Sequence, residues 1–290
     1  MGFPTENFES GLSYEAQPYD LFVATYPKCG TTWMQNICFL ILNDGIPLSS
    51  DQKLTLIFPH LEEMGAKYIN DPSNAHSLAY RFGKKSDKPM RLIKTHLYHD
   101  MTPMHPEAKY IYVARNPKDC LVSFYHHTRG FPKHYNFGNG SFDDYFELFI
   151  NGNVDFGSYF DNLKSWLPHL NKSNVFSTTY ENLVQNPRES ILDLAGFLGG
   201  SDLQNHLLAN DCDILNKVME KSSFNSMQKD LQRWSSARPT NHTPFIRKGK
   251  VGDWRDMLSI EQSERINKKM NDFFSKEDLE RLWPNYGSLI

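Results

Sequence analysis

Apolar runs that alternate with helix-patterned stretches predict an α/β fold. One domain, residues 1–290, is expected, with a central, mostly parallel β-sheet flanked by helices on both faces. Three observations lead there. Short apolar runs are bounded by turn residues, most are followed by a segment of helical periodicity, and the clusters of polar, chemistry-bearing residues fall just beyond the carboxyl ends of the runs. Parallel sheets place their ligands at those ends.

The first run, residues 20–26, stops at Pro27 and reads as a buried strand. After the turn Lys28-Cys29-Gly30, residues 31–43 place Trp33, Ile37, Leu40 and Ile41 at helical spacing, with Thr31 as the expected N-cap and Gly45 as the stop. Residues 91–97 and 109–114 are the second and third strands. Asn116 and Pro117 then supply the N-cap and first position of a helix through Phe124. Residues 174–179 form a fourth strand, and 188–198 an amphipathic helix ending at Gly199-Gly200. Segments 49–89 and 235–250 lack a regular pattern and are expected to be loops closing over a ligand.

The chain of 290 residues carries 31 Lys and Arg against 34 Asp and Glu, a formal charge of −3. A nucleic-acid binder would need a basic face, which this balance argues against. The apolar share of 39%, with 13% aromatic, sustains a core and excludes disorder of the whole chain. The longest apolar run, residues 37–42, is far short of the ~20 residues that cross a bilayer. The first residues lack the basic start and apolar stretch of a secretory leader. Cys29, Cys38, Cys120 and Cys212 are scattered, which fits reduced thiols, so a cytoplasmic location is expected. The histidines do not cluster with cysteines at zinc-ligand spacing, and no metal is expected.

Four groups of residues carry chemistry. The turn Tyr26-Pro27-Lys28-Cys29-Gly30-Thr31-Thr32-Trp33 joins a strand to a helix, so its amides and the helix dipole make an anion site. Gly30 permits close approach of a phosphate, Lys28 adds charge, and Thr31 and Thr32 add hydroxyls. The order GxxxxGK[ST] is absent, which counts against a nucleotide kinase. Downstream, Ile246-Arg247-Lys248-Gly249-Lys250-Val251-Gly252-Asp253-Trp254-Arg255, which follows Phe245, concentrates basic residues beside glycines and suits a second phosphate. Arg115, at the end of the third strand, and Ser123, two helical turns on, are placed to face one anion. Lys94 and His96, at i and i+2 of a strand, share a face. The lysine lowers the proton affinity of the imidazole and makes His96 a general-base candidate.

Taken together and in this order, these motifs resemble the cytosolic sulfotransferase family over about residues 20–265. The 26–33 turn looks like the family's P-loop-like phosphosulfate-binding turn, and Arg247 to Trp254 like its 3′-phosphate signature. The resemblance implies 3′-phosphoadenosine 5′-phosphosulfate (PAPS) as donor and the bisphosphate PAP as product. It assigns Lys28, Cys29, Gly30, Thr31 and Thr32 to the 5′ end, and Arg115, Ser123, Arg247, Lys248 and Gly249 to the 3′-phosphate. Trp33 and Phe224 are expected to flank the adenine, with Tyr180, Ser222 and Ile246 beside it. His96 is the implied base, Lys28 and Lys94 neutralise charge during transfer, and Ser123 completes the catalytic set.

Cys29 stands where the family commonly has Ser, and its thiol is expected to be oxidation-sensitive. The family's dimerisation pattern is matched loosely by Arg255, Ser259, Ile260 and Glu264, so a homodimer is expected. The acceptor is expected to be a small phenol, catechol or monoamine, or alternatively a hydrophobic alcohol such as a steroid. Its pocket is expected from residues 49–89 and from 124–149, including Phe131, Tyr135, Phe137, Phe142 and Tyr145, with Asp143, Asp144 and Glu147 drawing an amine.

Overall fold

The computed structural model describes residues 3–74, 80–81, 89–229, 233–234 and 246–284. Its strands are β1 (Asp20–Thr25), β2 (Tyr80–Arg81), β3 (Pro89–Thr95), β4 (Lys109–Ala114) and β5 (Val175–Thr179). They form one sheet of order β2-β3-β1-β4-β5, parallel except for the two-residue β2, which pairs antiparallel with β3. β1 is therefore central, with Ala24 opposite both Thr95 and Tyr112. The chain leaves it toward β3 on one side and returns past it to β4 on the other, which opens a crevice at the carboxyl ends.

The alternation of side chains explains why the runs looked continuously apolar. Phe22, Ala24, Ile93, Tyr110 and Tyr112 point to one face, where they meet Trp166, Phe160 and Tyr159. Leu21, Val23, Leu92, Ile111 and Val113 point to the other, against Met34, Ile37, Ile41 and Leu194. Each face is covered, so every residue of β1 is buried. A fully buried Phe or Leu contributes about 1.5–3 kcal/mol, and two such layers hold the sheet rigid beneath its carboxyl edge.

The helix Pro117–Arg129 starts as the sequence predicts. Asn116 accepts from the Lys118 amide, Pro117 takes the first turn, and the helix runs five residues past Phe124. The helix Thr31–Leu42 also forms, but Thr31 is not its cap. That position is Gly30, left-handed at φ 93°, and Thr31 instead turns its hydroxyl to Thr25 Oγ1 at 2.6 Å. The helical stretch Pro187–Ser222 breaks at Gly199 and Gly200 as expected, then resumes toward Ser222.

Of segment 49–89, residues 75–79 and 82–88 lie outside the described residues, and residues 49–74 are more regular than a loop. They contain the helices Leu54–Ile57 and Leu61–Asn70, the latter packed on the N-terminal helix Thr5–Leu12. Their shortness, and the non-helical Gly65 inside the second, hid the periodicity. Of segment 235–250, residues 235–245 lie outside the described residues, as does Phe245. Among the described residues no helix is long and apolar enough to cross a membrane.

Candidate functional site

A cavity of about 720 Å³ opens at the carboxyl edge of the sheet. Lys28, Gly30, Thr31, Thr32, Trp33, Lys94, His96, Arg115, Ser123, Tyr180, Ser222, Phe224, Ile246, Arg247, Lys248 and Gly249 all line it, so the structure gathers residues spread over more than two hundred positions. Cys29 is fully buried behind the loop.

The 26–32 turn is built by two left-handed residues, Lys28 at φ 68° and Gly30 at φ 93°. Its shape aims the following amides and the positive end of the helix Thr31–Leu42 into the cavity. A Cβ on Gly30 would lie 2.9 Å from the Tyr180 ring, so the close approach that glycine permits is used. Arg115 supports this turn from below. Its Nη1 donates to the Lys28 carbonyl at 2.9 Å, and its guanidinium lies 4.2 Å from the centre of the Tyr180 ring, while the buried Nε has no partner. Lys28 Nζ reaches His127 Nδ1 at 3.3 Å. Trp33 packs edge-on to Tyr180 at 5.4 Å and donates its indole N–H to the Ser222 carbonyl at 2.9 Å. These aromatics line the cavity while Tyr180 is buried and Trp33 packs against the core.

The downstream basic segment is held by two aspartates to which sequence reasoning assigned no role. Asp119 accepts from the amides of Gly252 and Trp254 at 2.7 and 3.1 Å, which fixes the segment to the helix Pro117–Arg129. Asp253 pairs with Arg247 and, at 2.5 Å, with Lys248. Burial pushes the Asp253 carboxyl up, but Lys248 and Arg247 outweigh that and hold it below the ordinary carboxylate range. Gly249, left-handed at φ 64°, leaves no room for a side chain, since a Cβ would run into the Phe224 ring. An aspartate directly after a basic, glycine-containing run was the available signal.

His96 stands one residue beyond β3. Its Nδ1 is 2.7 Å from the Thr25 carbonyl oxygen, which can only accept, so Nδ1 carries the proton and Nε2 keeps a free lone pair. Burial, then Lys94, then His60 push its proton affinity well below the ordinary histidine range. Sequence reasoning named the lysine, whereas burial is the larger cause. Lys94 is itself lowered by burial, against the pull of Glu62 and Glu63. Phe156, left-handed at φ 62°, sets its ring 5.0 Å from that of His96.

Around His96 the cavity is lined by Phe3, Phe58, His60, Glu63, Phe124, His127, Phe131, His134, Tyr135, Asp155 and Phe156. Phe131 and Tyr135 are where the sequence reading expects them. Phe137, Phe142 and Tyr145 are not, because they pack on the apolar core, with Tyr145 buried in it. The three acids are also elsewhere. Asp144 is taken up by Ser141, Asp143 by Gln262, and Glu147 by Arg265, whereas Glu63 and Asp155 are the carboxylates at the cavity. Cys29 does not fit the expectation of a sensitive thiol. It has no exposed surface, and burial raises its pKa well above the ordinary thiol value, so no accessible thiolate forms.

A parallel α/β sheet whose carboxyl edge brings a cationic strand-to-helix turn, a second cationic loop and a buried imidazole to one cavity is a site suited to an anionic ligand. Comparison with known proteins supplies the family. A sulfotransferase domain model matches residues 18–280, and the chain belongs to the sulfotransferase family. Human sulfotransferase 1C2 is 31% identical over 270 residues, covering 90% of this chain and 85% of the relative. Mouse sulfotransferase 1B1 is 32% identical over 277 residues, covering 90% and 84%. Among solved structures, mouse sulfotransferase SULT7A1 complexed with PAP superposes with a TM-score of 0.72 at 25% identity, covering 99% of this chain and 96% of that one. Retinol dehydratase in complex with androsterone and PAP shares the fold, with a TM-score of 0.73 at 21% identity and coverage of 93% and 86%.

Proposed function

We propose that this protein, acting as one domain over residues 1–290, moves the sulfuryl group of PAPS to a hydroxyl or amine of a small, aromatic acceptor. The observation that carries this reading is that two separate anion sites, the 28–32 turn and Arg247 to Gly249, open into the same cavity as His96. A donor charged at both ends suits that spacing, and the relative solved with PAP supports it. The residues present fit such a ligand. Lys28, Arg247 and Lys248 line the cavity as cations, and Arg115 Nε is buried without a partner.

In this scheme Lys28, Thr31, Thr32 and the amides from Cys29 onward bind the 5′ end. Arg115, Ser123, Arg247, Lys248 and the Gly249 backbone bind the 3′-phosphate. Trp33, Phe224 and Tyr180 enclose the base, with Ser222 and Ile246 beside it. When bound, PAPS supplies an electrophilic sulfur and a phosphate leaving group. His96 Nε2 takes the acceptor's proton, while Lys28 and Lys94 offset the charge that builds on the oxygens during in-line transfer. Ser123 belongs to the same catalytic set, and the scheme uses no metal.

Glu63 and Asp155 beside aromatic walls favour a phenol, catechol or monoamine. The ring set Phe124, Phe131 and Phe156 also suits a hydrophobic alcohol, which is the second reading for the acceptor.

The test is a thermal-shift titration with PAP beside ATP plus Mg²⁺. PAP alone should raise the melting temperature with dose, and Arg247→Ala should weaken PAP by ~1.5–3 kcal/mol, the worth of a charged hydrogen bond. A response only to ATP plus Mg²⁺ would overturn the reading in favour of a kinase.

A cytoplasmic homodimer completes the proposal. The segment from Arg255 to Glu264 lies at the surface, caps a helix at Ser259 and leaves Ile260 80% exposed. Sedimentation at micromolar concentration should give twice the chain mass of 33.6 kDa, and a monomer would reject the dimer.

A further inference from the structure

The buried Glu62 and the imidazole of His60 take no part in the scheme above, yet they adjoin its base. Residues 59 and 60, just ahead of the helix Leu61–Asn70, lie alongside β3. Lys94 N–H donates to the Pro59 carbonyl at 2.8 Å, and His60 bridges to Lys94 in parallel register. By the pleat, His60, Lys94 and His96 then project to one face. The His60 ring stands perpendicular to that of His96, with centres 4.9 Å apart. One carboxylate ties the group together. Glu62 Oε1 accepts from the His96 amide at 2.6 Å and from Thr95 Oγ1 at 3.0 Å, while Oε2 lies 3.4 Å from His60 Nε2 without a hydrogen bond. Glu63 approaches the other ring nitrogen of His60 at 3.7 Å.

We propose that His60, paired with Glu62, is a positioning residue that fixes the strand end carrying His96 and sets the pH range over which His96 Nε2 stays free. The proposal rests on His96 being the base of sulfuryl transfer. A carboxylate with no exposure needs a compensating charge, and the groups close enough to supply one are His60 and Lys94. Burial raises the Glu62 carboxyl, but the charge of His60 and the His96 amide outweigh it and keep it below the ordinary range. The charge of His60 in turn lowers the proton affinity of His96. The other charged or titratable groups facing the base are Lys94 from β3, Lys28 from the anion turn, Glu63 from the helix Leu61–Asn70, His127 and His134 from the aromatic wall, and Asp155 beside Phe156.

The sign is the same by either route. Removing His60 deletes a charge that disfavours protonation of His96 and leaves Lys94 alone to compensate Glu62, and both changes raise the proton affinity of His96. The experiment is an NMR titration of the His96 imidazole in the PAP-bound protein, beside the pH dependence of kcat/KM with a simple phenol. Wild type, His60→Phe, His60→Gln and the double variant Glu62→Gln/His60→Phe are compared, each shown to be folded by its melting response to PAP. In His60→Phe and His60→Gln the His96 midpoint should rise by roughly one pH unit, with the acid limb of kcat/KM following it. In the Glu62→Gln background the effect of His60→Phe should shrink. An unchanged His96 midpoint in either folded single variant overturns the proposal. A midpoint that rises while the acid limb of kcat/KM stays in place would instead remove His96 as the base, and the proposal with it, so the two failures are told apart.

Discussion

Replacement of His96 by Ala should reduce kcat by roughly 10²–10⁴-fold while PAP still raises the melting temperature as in wild type. The split follows from position. The His96 ring touches the Thr25 carbonyl, His60 and Phe156, and none of the residues assigned to the donor. Thr25 keeps its hydroxyl contact with Thr31 when the imidazole is gone, so the anion turn stays in place. Because burial and Lys94 hold the imidazole well below the ordinary histidine range, its Nε2 is unprotonated at neutral pH. The wild-type rate contribution of this base should accordingly be complete at neutral pH and fade only as pH falls through that lowered value. Turnover of His96→Ala at the wild-type rate, measured by PAP release with a phenol, would take the residue out of the mechanism.

The second large effect is expected at Lys28. Lys28→Met should lower kcat by roughly 10²–10³-fold, the usual consequence of losing one preorganised group that meets charge developing in the transition state. The backbone should tolerate the change, since methionine meets the same left-handed φ of 68° that lysine already accepts, and the Lys28 carbonyl remains as acceptor for Arg115. PAP lacks the sulfuryl group, so its affinity should fall far less than kcat. Parallel titration calorimetry and turnover would show this. An equal loss in both would make Lys28 a ground-state anchor that adds nothing specific to the transition state.

The chemistry was legible in the sequence wherever it was local. A strand, a turn with Lys28 and Gly30 and an amphipathic helix follow one another as the sequence predicts, and the i, i+2 spacing of Lys94 and His96 brings both to the cavity. Asn116-Pro117 and Gly199-Gly200 fixed helix limits because caps and breaks are set by backbone chemistry next to them. Thr31 failed as a cap for a related reason. Glycine with positive φ won that position, and the threonine found a better partner on β1.

The acceptor side was misread where aromatic composition stood in for direction. Phe137, Phe142 and Tyr145 look equivalent to Phe131 and Tyr135 in a list of residues, yet helix phase turns Phe142 and Tyr145 to the core, and the turn after the helix Pro132–Tyr135 packs Phe137 there too. Asp143, Asp144 and Glu147 are expected from the sequence to draw an amine and are instead occupied by a cap, a hydrogen bond and an ion pair with Ser141, Gln262 and Arg265. Asp119 and Asp253, the carboxylates that hold the second anion loop, sat inside motifs already singled out. Their partners are set by loop packing, and Gly252 lies 133 residues from Asp119.

By itself the sequence determined the α/β class, the strand-to-helix turn at Lys28 to Thr32, the basic run at Arg247 to Lys250 and the shared face of Lys94 and His96, because each depends on neighbours a few residues apart. Only the tertiary structure decided that these motifs share one cavity, that burial more than Lys94 keeps His96 unprotonated, and that His60 and Glu62 stand beside it. Those facts arise from chain segments brought together by the sheet order β3-β1-β4 and by the packing of the helix Leu61–Asn70 against β3. Distance along the chain carries no information about such meetings, and desolvation exists only once the core has closed.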